Sequence, residues 1–252
     1  MEWAEQKRGN LDPKDLLSII VNNPDEYGSP VTRDIIGGLV TFTFAAAYET
    51  CQNALIWTLV LLTQHPKIAA AVADEIQGAV DQDPPTMEKI GSLPLLDGVM
   101  KEGMRLFPPV PITTRRSTAD TILGDTAVKA GTRYLVSNYL INRNPDIYSE
   151  PDRFRPERWS DLNLSPYDFT TFGAGGRMCP AFTFGGQMLK IALAAVLTQH
   201  RIDMAPAAHV DYRFNVTLTP YPAVPVVLRD VAEAPVASDI TGGFRELVQL
   251  PQ

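Results

Sequence analysis

Cysteine is almost absent: the 252-residue chain holds two, Cys51 and Cys179. A small secreted scaffold stapled by disulfides carries more of them in a shorter chain, so a reducing compartment is expected. Histidine is scarce as well. His65, His200 and His209 show no metal-ligand spacing and read as structural. Positive charge is in deficit, with 22 Lys and Arg against 29 Asp and Glu, a net charge of -7 and a sequence pI near 5.0. That balance argues against a nucleic-acid binder, which needs a basic surface. No long apolar run occurs. The longest, Ala54 to Leu62, is about half the ~20 residues a membrane helix needs. The opening MEWAEQKRGN lacks the apolar centre of a signal peptide, so a soluble, cytoplasmic protein is expected. Internal repeats and low-complexity segments are missing too.

What is there is globular in composition, 45% hydrophobic and 20% charged, enough for one large core or two small ones. Residues 1–31 form a polar lead-in, broken by Pro13, Pro24, Gly28 and Pro30, with a short helix around Leu16 to Val21. Thr32 stands where an N-cap belongs, ahead of a proline-free run ending at His65-Pro66. That run predicts a helix of roughly 30 residues, about 45 Å long. Pro66 opens a second helix through about Val80, and Pro94 a third through Phe107, where Pro108-Pro109 stops it. Strand-like pieces follow at Thr121 to Leu123 and Tyr134 to Asn138. From Asn142 to Pro166 the chain is irregular, and loops of that length usually carry function. A last helix is expected from Cys179 to Gln199, then two strands near Tyr212 to Thr219 and Val224 to Leu228, read as a hairpin turning near Pro222. Residues 231–252 have weak pattern and read as a tail.

Chemistry concentrates in Phe172-Gly173-Ala174-Gly175-Gly176-Arg177-Met178-Cys179-Pro180-Ala181. A cysteine at a helix start has its thiolate favoured by free backbone amides and the helix dipole, and Pro180 suits the first helical position. The glycines let the backbone pass close to something flat, and Arg177 can reach an anionic group beside a metal. Two plainer readings compete. Cys179 is either an ordinary buried thiol or part of a glycine loop cradling phosphate. The phosphate reading fails on context, because Asp168-Phe169-Thr170-Thr171 is no buried strand and the third glycine is absent. The buried-thiol reading stands on this turn alone.

Phe172-Gly-Ala-Gly-Gly-Arg177-Met-Cys179 resembles the cysteine-ligand loop of the cytochrome P450 superfamily, with Ala181 where that family usually has glycine. Lys101-Glu102-Gly-Met-Arg105-Leu-Phe-Pro-Pro109 resembles its E-x-x-R helix, and Phe154-Arg-Pro-Glu-Arg158-Trp159 the segment that supplies a second arginine. Glu102 and Arg105, taken alone, are one turn apart and most often a solvated pair worth a few tenths of a kcal/mol. The resemblance implies instead that Glu102, Arg105 and Arg158 pair in the interior and fix the cysteine loop. Phe44-Ala45-Ala46-Ala47-Tyr48-Glu49-Thr50-Cys51 resembles the oxygen-activating helix, with Ala47 in place of the usual glycine. By composition alone those small residues are close-packing positions in a buried helix, and Cys51 is a packed thiol.

The resemblance runs from about Leu11 to Leu228 and covers the carboxyl-terminal, haem-binding half of a fold whose members are about twice as long. It implies a mainly α fold with small β-sheets, an α+β arrangement in which residues 32–230 form the haem-binding half. It implies haem b (iron protoporphyrin IX) and O2, with Cys179 on the iron and Phe172, Gly173, Ala46, Ala47 and Ala181 against the ring. Arg177 and Arg115 would meet the propionates, while Arg116 faces solvent. Thr50 and Glu49 would relay protons to oxygen, and Phe44, Val110, Ile112 and Thr113 would line the substrate site. The implied activity is insertion of one oxygen atom into an apolar organic substrate, with electrons from a ferredoxin or flavin-dependent reductase. Two other functions stay open. One is a truncated, non-catalytic haem-binding fragment that needs a missing N-terminal half, a partner chain or an oligomer. The other is a haem-thiolate isomerase or dehydratase, against which the retained Glu49-Thr50 pair argues.

Overall fold

The structure is a computed structural model that describes residues 6, 7, 9, 15–23, 28–80, 86–234, 236 and 238–251. Most of the opening ten residues, with Leu11, Pro13 and Pro24, lie outside them. The chain divides into two compact units, Met1–Glu49 and Thr50–Gln252, parted inside one long helix.

In the first unit, helix α1 (Leu16–Asn22) starts at Asp15, whose carboxylate accepts the Ser18 N–H at 2.9 Å. A hydrogen bond from Lys7 and that cap together hold the Asp15 carboxyl at about 2, below the usual carboxylate range. Val21, Val31 and Ile36 form a small buried cluster. Helix α2 (Arg33–Gln64) begins after Thr32, whose hydroxyl accepts the Ile35 N–H at 3.4 Å, in line with the expected cap. From Gly38 to Glu49 every residue of α2 is exposed.

The second unit takes over α2 from Thr50 and adds helices α3 (Pro66–Val80), α4 (Met87–Gly91), α5 (Pro94–Leu106), α6 (Asn138–Ile141), α7 (Phe182–Gln199) and α8 (Phe244–Leu247). Prolines at the first turn of α3 and α5 fit because the first amides of a helix have no internal partner. At α5 the next amides, Leu95 and Leu96, donate to the Glu75 carboxylate of α3 at 2.9 and 2.8 Å. A carboxylate there satisfies orphan donors and complements the positive end of the helix dipole.

Among the described residues, eight short strands make four antiparallel pairs: β1 (Ile112–Arg116) with β4 (Arg133–Ser137), β2 (Thr121–Leu123) with β3 (Thr126–Val128), β5 (His200–Met204) with β8 (Val226–Asp230), and β6 (Tyr212–Phe214) with β7 (Leu218–Pro220). The fold is thus mainly α with small sheets. Three-residue strands such as β3, and the one-turn helix α4, are too short for periodicity to reveal.

The core closes on an aromatic stack. Trp57 of α2 lies over Phe107 with ring centroids 4.5 Å apart, and Phe244 of α8 stacks at 5.3 Å from Phe107 and 5.9 Å from Trp57. The indole N–H donates to the Leu218 carbonyl of β7 at 2.8 Å, so this large side chain is buried without an orphan polar atom. Phe244 overturns the reading of residues 231–252 as a tail, since Ile240, Phe244 and Val248 are all core. Three apolar anchors in an aperiodic segment suffice to dock it, and no period announces them. Two further expectations change. The hairpin is β6–β7, turning between Phe214 and Leu218, while the second expected strand pairs with β5; Pro222 lies between β7 and β8. The last helix starts at Phe182, three residues after Cys179, with Ala181 as its N-cap.

Two glycines in α5 are explained by close packing. A Cβ on Gly98 would lie 2.5 Å from the Pro156 carbonyl oxygen, and one on Gly103 would lie 2.3 Å from Thr58 Oγ1 of α2. Gly98→Ala therefore destabilises the protein by ~1–3 kcal/mol through overpacking, despite the ~1 kcal/mol that alanine gains over glycine in a helix. Urea unfolding checks this, and a stabilised variant would show that the helix can move away. His65 supplies a pH prediction. Its ring is buried, with Nδ1 2.7 Å from the Leu61 carbonyl, and burial pushes its pKa below the ordinary 6.5, partly opposed by that hydrogen bond. The unfolded chain then binds a proton that the folded one refuses, so stability falls as pH drops below 6.5 toward the folded pKa. In His65→Gln the unfolding midpoint varies less with pH over that window than in the wild type.

Candidate functional site

The irregular stretch after Asn142 has backbone carbonyls with no helix or sheet partner, and buried carbonyls must find donors somewhere. They find two arginines. Arg105 on α5 donates Nη1 to the carbonyls of Asn142 (2.8 Å) and Pro151 (2.7 Å), and Nη2 to that of Arg153 (3.2 Å). Its Nε and Nη2 grip Glu102 in a two-pronged pair at 2.8 and 2.9 Å, so all five guanidinium donors are used. Arg158, in the 3-10 turn Pro156–Ser160, donates Nε to Glu102 at 3.0 Å and Nη1 to the Ser149 carbonyl at 2.6 Å. Glu102 also accepts from Trp159 Nε1 at 2.9 Å and from the Arg155 N–H at 3.0 Å. Glu102 and Arg105 have no exposed side-chain surface, and Arg158 has 5%.

Two positive groups against one carboxylate leave an excess charge in the interior, which five carbonyl oxygens around them absorb. Burial pushes the Arg158 guanidinium down, and Glu102 opposes that shift. The Tyr148 ring covers Arg105 at 4.9 Å, and its hydroxyl donates to the Asp168 carbonyl at 2.8 Å; burial pushes that phenol up. Trp159 and Tyr148 were not singled out from sequence. Trp159 sits beside Arg158, and an aromatic there was its one available signal.

The cysteine loop folds back on itself. The Cys179 N–H donates to the Phe172 carbonyl at 2.8 Å and the Met178 N–H to that of Gly175 at 3.0 Å. Gly173 and Gly175 hold φ of 73° and 72°, a left-handed conformation that favours glycine. Cys179 is half-buried, and Arg177, Met178 and Ala181 around it are exposed. Because α7 begins only at Phe182, Cys179 and Pro180 lie ahead of the helix, and its dipole bears on the thiol less than a helix-start cysteine would feel. Ala181 has φ of -100°, ordinary for any L-residue, so replacing the glycine costs no backbone strain.

The other candidates are placed as follows. Phe44, Ala46, Ala47 and Glu49 lie on successive turns of α2 in the first unit, all exposed, and Thr50 opens the second unit. Cys51 packs against the core; burial pushes its thiol up, a hydrogen bond with Thr50 opposes this, and the nearby Cys179 adds to the rise. Ile112, Thr113 and Arg115 belong to β1, and the Arg115 guanidinium donates to its neighbour Thr114 at 3.0 Å, while Arg116 is exposed. The Val110 carbonyl accepts from Asn138 Nδ2 at 2.8 Å. The structure thus brings together Glu102, Arg105 and Arg158, and separately Phe172, Gly173, Arg177 and Cys179.

The cysteine loop leaves open backbone for a flat prosthetic group. No described atom lies within 4 Å of a Cβ placed on Gly175, Gly176, Gly185 or Gly186, so a flat ring has room along this face. Met178 and Phe182 present apolar surface beside the thiol, 36% and 46% exposed. Among the described residues no group of three or more His, Cys, Asp or Glu could hold a metal ion. The residues fit haem. No single described helix is long and apolar enough to cross a membrane.

Glu102→Gln keeps the shape but strands two guanidiniums, and is expected to cost ~3–5 kcal/mol of folding stability. Trp159→Phe removes one hydrogen bond to the same carboxylate and is expected to cost ~0.5–1.5 kcal/mol. Chemical denaturation checks the order, and equal losses would refute the reading of Glu102 as the hub.

The cytochrome P450 family model matches residues 1–224. Among curated relatives, pentalenene oxygenase of Streptomyces avermitilis is 33% identical over 210 residues, 82% of this chain and 47% of that protein. The mitochondrial 1,25-dihydroxyvitamin D(3) 24-hydroxylase of Mus musculus is 31% identical over 190 residues, 74% of this chain and 37% of that one. A crystal structure of a cytochrome P450 (CYP102L1) superposes with a TM-score of 0.81 at 26% identity, covering 91% of this chain and 53% of the other. The chain spans about half the length of the curated relatives it matches.

Proposed function

The chain belongs to the cytochrome P450 family, and on that premise we propose that it is a haem-thiolate monooxygenase, or the catalytic half of one, with Cys179 as the iron ligand. The observation that supports this most is the loop closed by the Cys179 N–H on the Phe172 carbonyl, which holds a half-buried thiol beside an open, glycine-lined apolar face. Haem, when bound, would supply the oxygen chemistry: with two electrons, two protons and one O2, one oxygen atom enters a substrate C–H bond and the other leaves as water.

The chain's residues then have separable tasks. The Cys179 thiolate donates electron density to the metal. Arg177 and Arg115 would pair with the two propionates, and Phe172, Gly173 and Ala181 would pack against the ring. Thr50 holds a proton on its hydroxyl and Glu49 exchanges one with solvent, so protons reach the oxygen site without bulk water flooding it. Val110, Ile112 and Thr113 would line the site of an apolar organic substrate. A ferredoxin or flavin-dependent reductase supplies the electrons.

A second reading is favoured by one observation. Phe42 and Phe44 are each 71% exposed and Tyr48 62%, on a stretch of α2 that is apolar on every side. A helix of that kind is normally buried all round. On this reading the chain is a fragment that needs the other half of the fold, or a partner chain, before it turns over.

The test is the difference spectrum of the haem-reconstituted chain after reduction and addition of carbon monoxide. The expected result is a red-shifted thiolate-type Soret band that Cys179→Ser abolishes and Cys51→Ser leaves in place. An unchanged spectrum in Cys179→Ser overturns the ligand assignment. A thiolate band without turnover supports the second reading.

A further inference from the structure

We propose that Asn142 is a positioning residue that couples the buried charge cluster to the loop carrying Cys179, an inference that rests on reading that cysteine as the iron ligand. Asn142 is fully buried at the end of α6 and is used at both its ends. Its backbone carbonyl takes Arg105 Nη1 at 2.8 Å, which ties it to the cluster. Its side chain faces the 3-10 turn Thr170–Phe172. Oδ1 accepts the Thr170 N–H at 3.0 Å and the Thr170 hydroxyl at 3.3 Å, and Nδ2 donates to Thr171 Oγ1 at 3.0 Å. The Thr171 hydroxyl in turn donates to the Met104 carbonyl of α5 at 3.1 Å. The same turn ends at Phe172, whose carbonyl holds the Cys179 N–H at 2.8 Å.

The chemistry selects an amide of this length. The Thr170 N–H begins a 3-10 turn and has no helical partner, so it needs an acceptor in the interior. Thr171 Oγ1 spends its proton on Met104 and accepts one in return, so it needs a donor. Asparagine offers both from one rigid plane, and aspartate offers only the acceptor. Glu102 and Arg105 therefore fix the irregular stretch, and Asn142 carries that fixation on to the turn from which the cysteine loop hangs. Charge removal at the cluster and amide removal at Asn142 should loosen the same loop, the second without unpairing a charge.

The experiment uses the full chain, haem-free and folded, with iodoacetamide as the probe and Cys51 as the internal reference. Asn142→Ala is expected to raise the alkylation rate of Cys179 about tenfold by opening the loop, with Cys51 changed less than about twofold. Asn142→Asp, which removes the Nδ2 donor, and Thr171→Val, which removes that bond together with the one to the Met104 carbonyl, should each raise it by a smaller factor. After haem reconstitution, the three variants should show a rising share of the thiol-type carbonyl band in the same order. A Cys179 rate equal to wild type in folded variants overturns the proposal, and so does equal acceleration at both cysteines, which means general loosening. Should Asn142→Ala fail to fold, Thr171→Val and Asn142→Asp decide by the same criteria. If the wild type lacks a thiolate band while the alkylation rates shift as expected, the ligand reading fails and the positioning role stands.

Discussion

A single carboxylate organises the second unit. Glu102 is fully buried, accepts five hydrogen bonds and draws them from four residues that lie up to 57 positions away in sequence. The stretch it gathers has almost no regular structure, so its backbone cannot satisfy itself. Two arginines held by Glu102 serve as a substitute for secondary structure, each reaching several carbonyls from one side chain. Charge-assisted bonds of this kind are stronger than neutral ones and fix direction as well as distance. That rigidity matters because the cysteine loop has only the short 3-10 turns Thr170–Phe172 and Gly175–Arg177 to stiffen it.

Packing makes the cluster possible. The helix α5 that carries Glu102 and Arg105 presses against Pro156 on one side and Thr58 on another, at distances that only glycine allows. The two glycines lower the intrinsic helix propensity and are compensated by tertiary contact, a local cost accepted for a close approach. The stack of Trp57, Phe107 and Phe244 then closes the C-terminal end of α5 and docks the end of the chain there. Cluster and close-packed helix are joined through Asn142 and Thr171 to the turn that leads into the cysteine loop.

The surfaces tell the complementary story. Aromatic side chains stand open at Phe42, Phe44 and Tyr48 in the first unit and at Phe182 and Phe184 in the second. Exposed aromatic residues in this number mark surfaces meant to be covered. The interior of the second unit is by contrast dense and well satisfied, which is the expected division in a chain that matches about half of its relatives' length.

The sequence by itself determined where the longer helices run. Proline at 66 and 94, Thr32 ahead of an unbroken apolar run, and the turn from Phe172 to Cys179 were legible because local sterics and capping act within a few residues. The same is true of the types and spacing of Glu102, Arg105, Arg158 and Cys179. Tertiary structure alone decided which distant groups meet. Nothing near Asn142 announces that its amide holds Thr170 and Thr171, nothing in residues 231–252 announces that Phe244 completes a stack, and Gly98 and Gly103 look like flaws until Pro156 and Thr58 arrive beside them. The start of the last helix belongs to the same class. Hydrogen bonds that close the cysteine loop hold Cys179 and Pro180 outside the helix, so the chain turns helical only at Phe182. Local rules act through neighbours in sequence, whereas these contacts depend on which groups the collapsed chain brings into reach.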